Sequence, residues 1–118
     1  MTYIVYGIPN CDTVRKARKW MTAQQLDYRF HDIRKDGLSA DQVERWFSQL
    51  SLEQVLNKRS SSWKSASAQL SATPSAQELA ALISHEPTLL KRPLLATATD
   101  TALACGFKEV EWQALTQA

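Results

Sequence analysis

The start of the chain combines two strand patterns with a helical pattern between them. Residues 2–7 (TYIVYG) are β-branched or aromatic, and Gly7 and Pro9 close the run, which predicts a buried strand. From Thr13 the apolar positions follow helical spacing. They are Val14, Ala17, Trp20 and Met21. Residues 27–33 (DYRFHDI) alternate as a second strand. A strand, a helix and a strand of these lengths predict a βαβ unit with parallel strands.

Helix-start signals dominate the middle of the chain. Ser39 with Gln42, and Ser75 with Glu78, each have the spacing of a capping box ahead of apolar residues at helical intervals. Ser51 can open another short helix between them. The middle of the chain is therefore predicted to be helical, in contrast to the strands that precede it.

Serine-rich and strand-forming stretches complete the pattern. Residues 58–72 (KRSSSWKSASAQLSA) predict a loop with one helical turn, so residues 38–90 are interpreted as a helical insert. Residues 94–98 and 101–105 then predict a hairpin with a tight turn near Asp100. The chain ends in a predicted amphipathic helix, with these side chains pointing inward: Phe107, Val110 and Leu115.

The order of elements predicts an α/β fold. A βαβ unit, a helical insert and a ββα unit are typical of a thioredoxin-like core that carries a helical lobe between its second and third strands. We expect a single domain over residues 1–118, with a core of residues 1–37 and 91–118 and an insert of residues 38–90.

Composition and charge narrow the class of protein. The chain has 118 residues, a net charge of +2 and two cysteines. The densest basic stretch contains Arg15, Lys16, Arg18 and Lys19. A stretch so short predicts a solvated helix face rather than a nucleic-acid interface. The N-terminal residues have neither a signal-peptide pattern nor an apolar run of membrane-spanning length. We therefore expect a cytoplasmic monomer with reduced thiols, which binds neither nucleic acid nor membrane.

Cys11 stands between the first strand and the first helix. A helix N-terminus offers unpaired backbone N–H groups and the positive end of the helix dipole. Both favour a thiolate over a thiol, so the position predicts a nucleophile. The alternative is a small core residue, although such a cysteine would more naturally lie within a strand. The metal-ligand spacings of zinc sites are absent from the sequence, and no bound metal is expected.

The residue three positions after Cys11 limits the redox chemistry. Val14 stands where a C-x-x-C motif has its resolving cysteine. A mixed disulfide on Cys11 must therefore be resolved by an external thiol, such as glutathione, or by Cys105. We interpret Cys105, at the end of the last predicted strand, as a core residue.

Two further stretches contain candidate binding residues. In "LLKRPLL", Pro93 comes just before a strand, where thioredoxin-like folds place a cis proline beside the active cysteine. Arg92 precedes it and could bind an oxyanion or carboxylate through two hydrogen bonds. In "LNKRSSSW", Asn57, Lys58, Arg59 and three serines form a donor-rich loop that could bind an anion. The alternatives are a surface turn and a solvated loop.

These stretches together resemble the ArsC family, which comprises arsenate reductases and their relatives Spx and YffB. The resemblance covers nearly the whole chain and rests on "YGIPNCDTVRKARKW", "VLNKRSSSW", "LLKRPLL" and "GFKEVEW" in this order. It is closest to the YffB-like branch, whose signature has an Asp-Thr pair after the cysteine, a Leu-Asn pair in the insert and Lys-Arg-Pro. That branch is regarded as one of glutathione-dependent thiol reductases.

The resemblance implies a role for each matching residue. Cys11 corresponds to the nucleophile, Arg92 to an anion-binding arginine and Pro93 to the cis proline. Further substrate- or anion-binding positions are implied at Asn10, Asp12, Thr13, Asn57 and Arg59. Arsenate reductases have two more arginines, one in the insert and one near the last strand. Here those positions fall at Asn57 and Cys105, which makes arsenate a less suitable substrate.

The resemblance therefore predicts a thiol-dependent reductase that uses glutathione as co-substrate and holds no bound cofactor. Its partners would be glutathione and a disulfide or oxyanion substrate. One alternative is an arsenate reductase coupled to glutathione or glutaredoxin. A second alternative is a non-catalytic, Spx-like adaptor that binds a protein, although Val14 removes the C-x-x-C switch of Spx.

Overall fold

The sheet is mixed and has four strands in the order β2-β1-β3-β4. The computed structural model describes residues 2–116. The strands are β1 Thr2–Gly7, β2 Asp27–Asp32, β3 Leu94–Thr97 and β4 Ala102–Cys105. Strand β1 pairs parallel to β2 and antiparallel to β3, and β3 pairs antiparallel to β4. The βαβ unit, the hairpin and the α/β class with a thioredoxin-like core are therefore confirmed.

Helix α1, Asp12–Ala23, connects the two parallel strands. It ends where Gln25 takes a left-handed conformation with φ of 57°. The backbone N–H of Leu26 then donates to Met21 O, and that of Gln25 donates to Thr22 O, each at 3.0 Å. This is a Schellman motif, which satisfies the last carbonyl groups of the helix and turns the chain into β2.

One face of the sheet packs against α1 and the C-terminal helix. The residues buried in this core are Tyr3, Val5, Ala17, Trp20, Met21, Leu95, Ala104 and Trp112. Ala17 and Met21 are inward-facing as predicted, because their spacing places them on one side of α1. Three aromatic rings meet here, with centroids of Phe107 and Trp112 5.0 Å apart and those of Trp20 and Trp112 6.5 Å apart.

The C-terminal helix, α6 Glu109–Thr116, is rotated relative to the prediction. The inward position of Val110 is wrong, since its side chain is 81% exposed, whereas Trp112 is fully buried. Phe107 and Leu115 do pack against the core. The helix begins only at Glu109, so Phe107 lies outside it. The inward position of Phe107 therefore does not determine which face of α6 packs against the core. The large indole of Trp112 takes the buried position instead.

Four helices and a short 3-10 helix, Pro87–Leu89, lie between β2 and β3. The helices are α2 Ala40–Gln49, α3 Leu52–Val55, α4 Trp63–Ser67 and α5 Ala76–His85. Ser39 caps α2, and complete capping boxes start α3 and α5, so the predicted start signals are confirmed. Helices α2 and α5 pack against each other. Their buried residues are Val43, Trp46, Leu79, Ala80 and Ile83.

The chain divides into two compact units. The first contains the sheet, with residues up to 36 and those from 92 onward, and the second contains Gly37–Lys91. Each unit has its own set of buried apolar side chains. None of the helices within residues 2–116 combines the length and apolarity needed to cross a membrane.

Candidate active site

One end of the sheet brings together most of the candidate residues of the first unit. Tyr6 lies opposite Leu94, and Leu94 lies opposite Cys105. The segment that follows β1, the segment that precedes β3 and the end of β4 therefore share one end of the sheet. Cys11 is in the first of these segments, and the pair Arg92–Pro93 forms the second.

Cys11 is the N-cap residue of α1. Its backbone is extended, with φ of −96° and ψ of 127°, and its carbonyl oxygen accepts the first helical bond from Arg15 N at 2.9 Å. Among the described residues, its side chain makes no capping hydrogen bond. The thiol is partly buried at the positive end of a 12-residue helix. Such a position is typical of reactive cysteines and leaves the sulfur accessible to a substrate.

The neighbours of Cys11 are solvent-exposed. Asn10, Asp12 and Thr13 all lie at the surface, where a bound molecule could reach them. The Asp12 carboxylate forms an ion pair with Arg15 at 2.6 Å. Helix N-termini favour carboxylates in the first turn, so Asp12 also helps to start α1. The three expected residues are therefore together with Cys11.

Arg92 and Pro93 enter β3 through a cis peptide bond, as predicted. The segment is fixed to the end of β4, because the backbone N–H of Gly106 donates to Pro93 O at 2.9 Å. Pro93 is buried and Arg92 is partly buried, with its Nε atom shielded from solvent. Gly106 has φ of 81°, a conformation that favours glycine. A guanidinium and a helix N-terminus thus share this end of the sheet.

Cys105 is not the core residue expected from the sequence. It is the last residue of β4, and its side chain is partly exposed. Burial alternates along β4, where Ala102 and Ala104 are buried, so Cys105 lies on the less covered side of the strand, at its end. Within residues 2–116, neither Cys105 nor Cys11 is in a disulfide bond.

Asn57 and Arg59 lie in the second unit, where they form one loop. The Asn57 side-chain oxygen accepts from Arg59 N at 3.1 Å, and Asn57 N donates to Leu89 O at 2.7 Å. A cavity of about 260 Å³ opens beside this loop. Its lining residues are Glu53, Leu56, Asn57, Lys58, Arg59 and Lys91. Three cations against one carboxylate make this cavity suitable for an anion.

One cation of that cavity, Lys91, is not among the residues predicted from the sequence. Lys91 Nζ donates to the carbonyl oxygen of Glu53 at 2.6 Å, which holds the lysine at the loop. Lys58 lies over the Trp63 ring, with its Nζ 5.8 Å from the centroid. Lys91 directly precedes Arg92, and this pair of adjacent cations was the signal that could have indicated it.

His31 lies at the same end of the sheet as Cys105 and packs against a neighbouring aromatic ring. Its ring lies 4.8 Å from that of Tyr6 on the neighbouring strand, and the Tyr6 hydroxyl donates to the Asp100 carboxylate. Asp100 itself turns the β3–β4 hairpin with φ of 68°. Across residues 2–116, no group of three or more His, Cys, Asp or Glu side chains could hold a metal ion.

Comparison with known proteins identifies the family. The family model described as "ArsC family" matches residues 6–115. The chain belongs to the ArsC family. An uncharacterized protein of Haemophilus influenzae is 36% identical over 93% of this chain and 95% of its own length. The global transcriptional regulator Spx of Lactiplantibacillus plantarum is 26% identical over 92% of this chain and 81% of its own length.

Solved structures of ArsC-family proteins share the fold. A protein of Brucella melitensis, described as an arsenate reductase (ArsC) related protein, is 33% identical, with a TM-score of 0.68 over 100% of this chain and 97% of that one. The YffB protein is 29% identical, with a TM-score of 0.80 over 98% and 99% of the two chains. The chain therefore has the arsenate reductase-like fold of the ArsC family, with its sheet and its inserted helices.

Proposed function

We propose that the protein is a thiol-dependent reductase in which Cys11 is the nucleophile and glutathione the electron donor. The observation that carries this proposal is the place of Cys11, partly buried at the N-cap of α1. Arg92 and the cis Pro93 enter β3 at the same end of the sheet as Cys11. ArsC-family membership supports redox chemistry at this cysteine.

The proposed cycle has two thiol–disulfide exchanges. The Cys11 thiolate attacks the glutathionyl sulfur of a mixed disulfide R–S–S–G, the S–S bond breaks, and R–S⁻ leaves with the electron pair. A glutathione thiolate then attacks the Cys11–glutathione disulfide, which releases oxidised glutathione and restores the Cys11 thiolate. Val14 supports this order, because the helix has no second thiol three residues after Cys11.

Arg92 would orient the substrate in this cycle. Glutathione carries two carboxylates, and a guanidinium binds a carboxylate through two parallel hydrogen bonds. The positive end of α1 would stabilise both the attacking thiolate and the thiolate that leaves when the adduct is resolved. Neither step needs a bound cofactor. We infer a cytoplasmic location, because the cycle requires a compartment that maintains reduced glutathione.

Arsenate reduction is the second candidate. Similarity to the Brucella protein, and to a possible arsenate reductase of Streptococcus mutans at 28% identity, supports it. Arsenate is a multiply charged anion, and holding it beside a thiolate requires several cations, since the two anions repel. Asn57 and Cys105 are neutral at the positions where the family resemblance places arginines. We therefore rank the disulfide above arsenate.

A direct comparison of the two substrates tests the proposal. Purified protein is supplied with reduced glutathione, glutathione reductase and NADPH, and with either the mixed disulfide of glutathione and mercaptoethanol or arsenate. We expect turnover of the mixed disulfide that is lost in Cys11→Ser, and little turnover of arsenate. Efficient arsenate reduction without disulfide reduction would reverse the ranking, and inactivity toward both would contradict an enzymatic role.

An adaptor role like that of Spx is the remaining alternative, supported by the similarity to Spx at 26% identity. The two roles differ in their need for sulfur chemistry. An adaptor without a C-x-x-C switch would bind its protein partner equally well after Cys11→Ser, whereas the reductase would lose all turnover.

Size-exclusion chromatography of the purified chain tests the expected monomer.

A further inference from the structure

The exposed side of α1, the helix whose N-cap is Cys11, is strongly basic. We call it the basic face of α1, and it consists of Arg15, Lys16, Arg18 and Lys19. Arg15, Arg18 and Lys19 have the i, i+3 and i+4 spacing that places side chains on one side of a helix, and Arg15 lies four residues after Cys11. Lys19 lies one turn further along the helix than Arg15. A molecule that approaches Cys11 along the helix therefore meets these cations.

Contacts within the protein orient the two arginines of the basic face. The Arg18 guanidinium stacks on Phe30, with its carbon 4.0 Å from the ring centroid, and Arg18 Nε donates to the Tyr28 hydroxyl at 3.3 Å. The Arg15–Asp12 ion pair fixes a second guanidinium. An open concavity of about 480 Å³ lies among Asp12, Arg15, Lys16, Arg18 and Lys19. Two arginines are thus held in place beside two exposed lysines.

The charge of this face stands out from the rest of the chain. Helix α1 has four cations and one carboxylate, whereas the whole chain has a net charge of only +2. The remainder of the molecule is therefore slightly acidic. Such an asymmetry steers an acidic partner toward one surface, because opposite charges attract over about 10 Å at moderate ionic strength. The surface it favours is the one that leads to Cys11.

We propose that the basic face of α1 docks an acidic polypeptide that presents its own glutathionylated cysteine to Cys11. The inference rests on the proposed function and specifies its substrate as a protein rather than a small disulfide. Lys19 lies eight residues after Cys11, about 12 Å along the helix axis. A glutathionyl group at the first turn of α1 needs no cation at that distance, whereas a polypeptide that lies along the helix would contact all four.

A polypeptide fits this surface better than a nucleic acid. The basic face belongs to the helix whose N-cap is Cys11, and a nucleic acid has no sulfur with which that cysteine could exchange. The chemistry is the same exchange as above: the Cys11 thiolate bonds to the glutathionyl sulfur, the S–S bond breaks, and the polypeptide leaves as a thiolate. Glutathione then resolves the adduct on Cys11.

Two short synthetic peptides with one glutathionylated cysteine test the proposal, one flanked by glutamates and the other by lysines. We expect kcat/KM to be about tenfold higher for the acidic peptide at low salt. The preference should fall when ionic strength rises from about 0.01 M to about 0.15 M, because the Debye length shrinks from about 30 Å to about 8 Å. Equal rates for the two peptides would overturn the proposal.

Charge-reversal variants assign the effect to this face. Lys16→Glu/Lys19→Glu should abolish or reverse the preference and leave turnover of the small mixed disulfide within twofold of wild type. Arg29→Glu/Lys64→Glu is the matched control, since both residues are exposed, lie outside α1, and change the net charge equally. A loss of preference in the control alone would overturn the proposal. A protein inactive toward both peptides and the small disulfide would instead contradict the proposed function.

Binding to nucleic acid is measured with the same variants. Binding of a labelled DNA duplex is followed by fluorescence anisotropy at physiological salt. We expect the wild type to show no binding that the variant Lys16→Glu/Lys19→Glu loses. Tight binding that the double variant loses would overturn the assignment of this face to a polypeptide.

Discussion

Gly7 and Val14 are in direct contact at the point where β1 gives way to α1. A Cβ atom on Gly7 would lie 2.8 Å from Cγ2 of Val14, which is too close for a stable contact, and 3.0 Å from Cγ1, which is a tight contact. Val14 is fully buried and lies in the first turn of α1, three residues after Cys11. The absence of a side chain at Gly7 therefore determines how closely the N-terminus of α1 approaches the sheet.

Gly7→Ala should displace the first turn of α1. The overpacked methyl group should lower the free energy of unfolding by roughly 1–3 kcal/mol, measured by urea denaturation. It should also slow alkylation of Cys11 by iodoacetamide, because the cysteine moves with the helix. In a Val14→Ala background the same substitution should cost less, since the clashing methyl groups are gone. Equal costs in both backgrounds would contradict this account of the contact.

Cys11 should form the glutathione adduct, and Cys105 should not be needed for it. Exposure to oxidised glutathione followed by peptide mass spectrometry should give an adduct on Cys11 in wild type and in Cys105→Ser. Reductase activity should also survive Cys105→Ser, because Val14 leaves resolution to an external thiol. Because Cys105 is partly exposed, Cys11→Ser is the necessary control for slower labelling at that site. Loss of turnover in Cys105→Ser, with a trapped Cys11–Cys105 disulfide, would show that Cys105 is the resolving thiol.

Arg92→Ala should lower kcat/KM for the small glutathione mixed disulfide by about ten- to a hundredfold. Losing a charge-assisted hydrogen bond costs roughly 1.5–3 kcal/mol, which corresponds to that change in rate. Arg92→Lys should recover only part of the loss, because lysine keeps the charge without the two-pronged geometry of the guanidinium. Arg59→Ala provides a comparison in the second unit. An unchanged rate in Arg92→Ala would remove Arg92 from the site.

Glu78 should make α5 sensitive to acid. Hydrogen bonds from the Ser71 hydroxyl, the Ser71 backbone and the Ser75 backbone hold the pKa of Glu78 below its ordinary value of 4.5. A lowered pKa in the folded state means that ionised Glu78 stabilises the fold above pH 4.5, and that this stability is lost as the pH falls through the lowered value. At neutral pH, the wild type should therefore have a higher Tm than Glu78→Gln.

Thermal melts of both proteins over a pH series test this expectation. The difference in Tm should shrink below pH 4.5 and vanish once the carboxyl is protonated. Ser71→Ala should reduce the difference, since the Ser71 hydroxyl donates to Glu78 at 3.1 Å. A difference that does not change with pH would mean that the charge of Glu78 contributes nothing to the capping box.

Most of the fold could be predicted because its signals are local. The Ser51 and Ser75 caps, the spacing of Ala17 and Met21, and the alternation in β2 depend on neighbours within a few residues. The orientation of α6 could not be predicted in this way. Whether Val110 or Trp112 turns inward depends on the ring cluster around Trp20, which belongs to a distant part of the sequence.

The candidate site was predicted less completely for a related reason. The place of Cys11 at a helix N-terminus follows from the strand and helix patterns on either side of it. The partial exposure of Cys105 does not, because it depends on which side of β4 the rest of the fold covers at the end of the strand. The hydrogen bond from Lys91 to the carbonyl oxygen of Glu53 joins residues far apart in sequence, and no local pattern indicates it.

The buried indole of Trp112 makes one end of the sheet observable by fluorescence. Its Nε1–H donates to the carbonyl oxygen of Gly106 at 3.0 Å, one residue beyond Cys105. Trp20 lies in the same unit, whereas the other two tryptophans, Trp46 and Trp63, lie in the second unit. Replacing either pair with phenylalanine leaves an emission signal from one unit alone. The melting of the two units can thus be followed separately, and once Trp20 is replaced as well, Trp112 emission can report events at the end of β4 without an added dye.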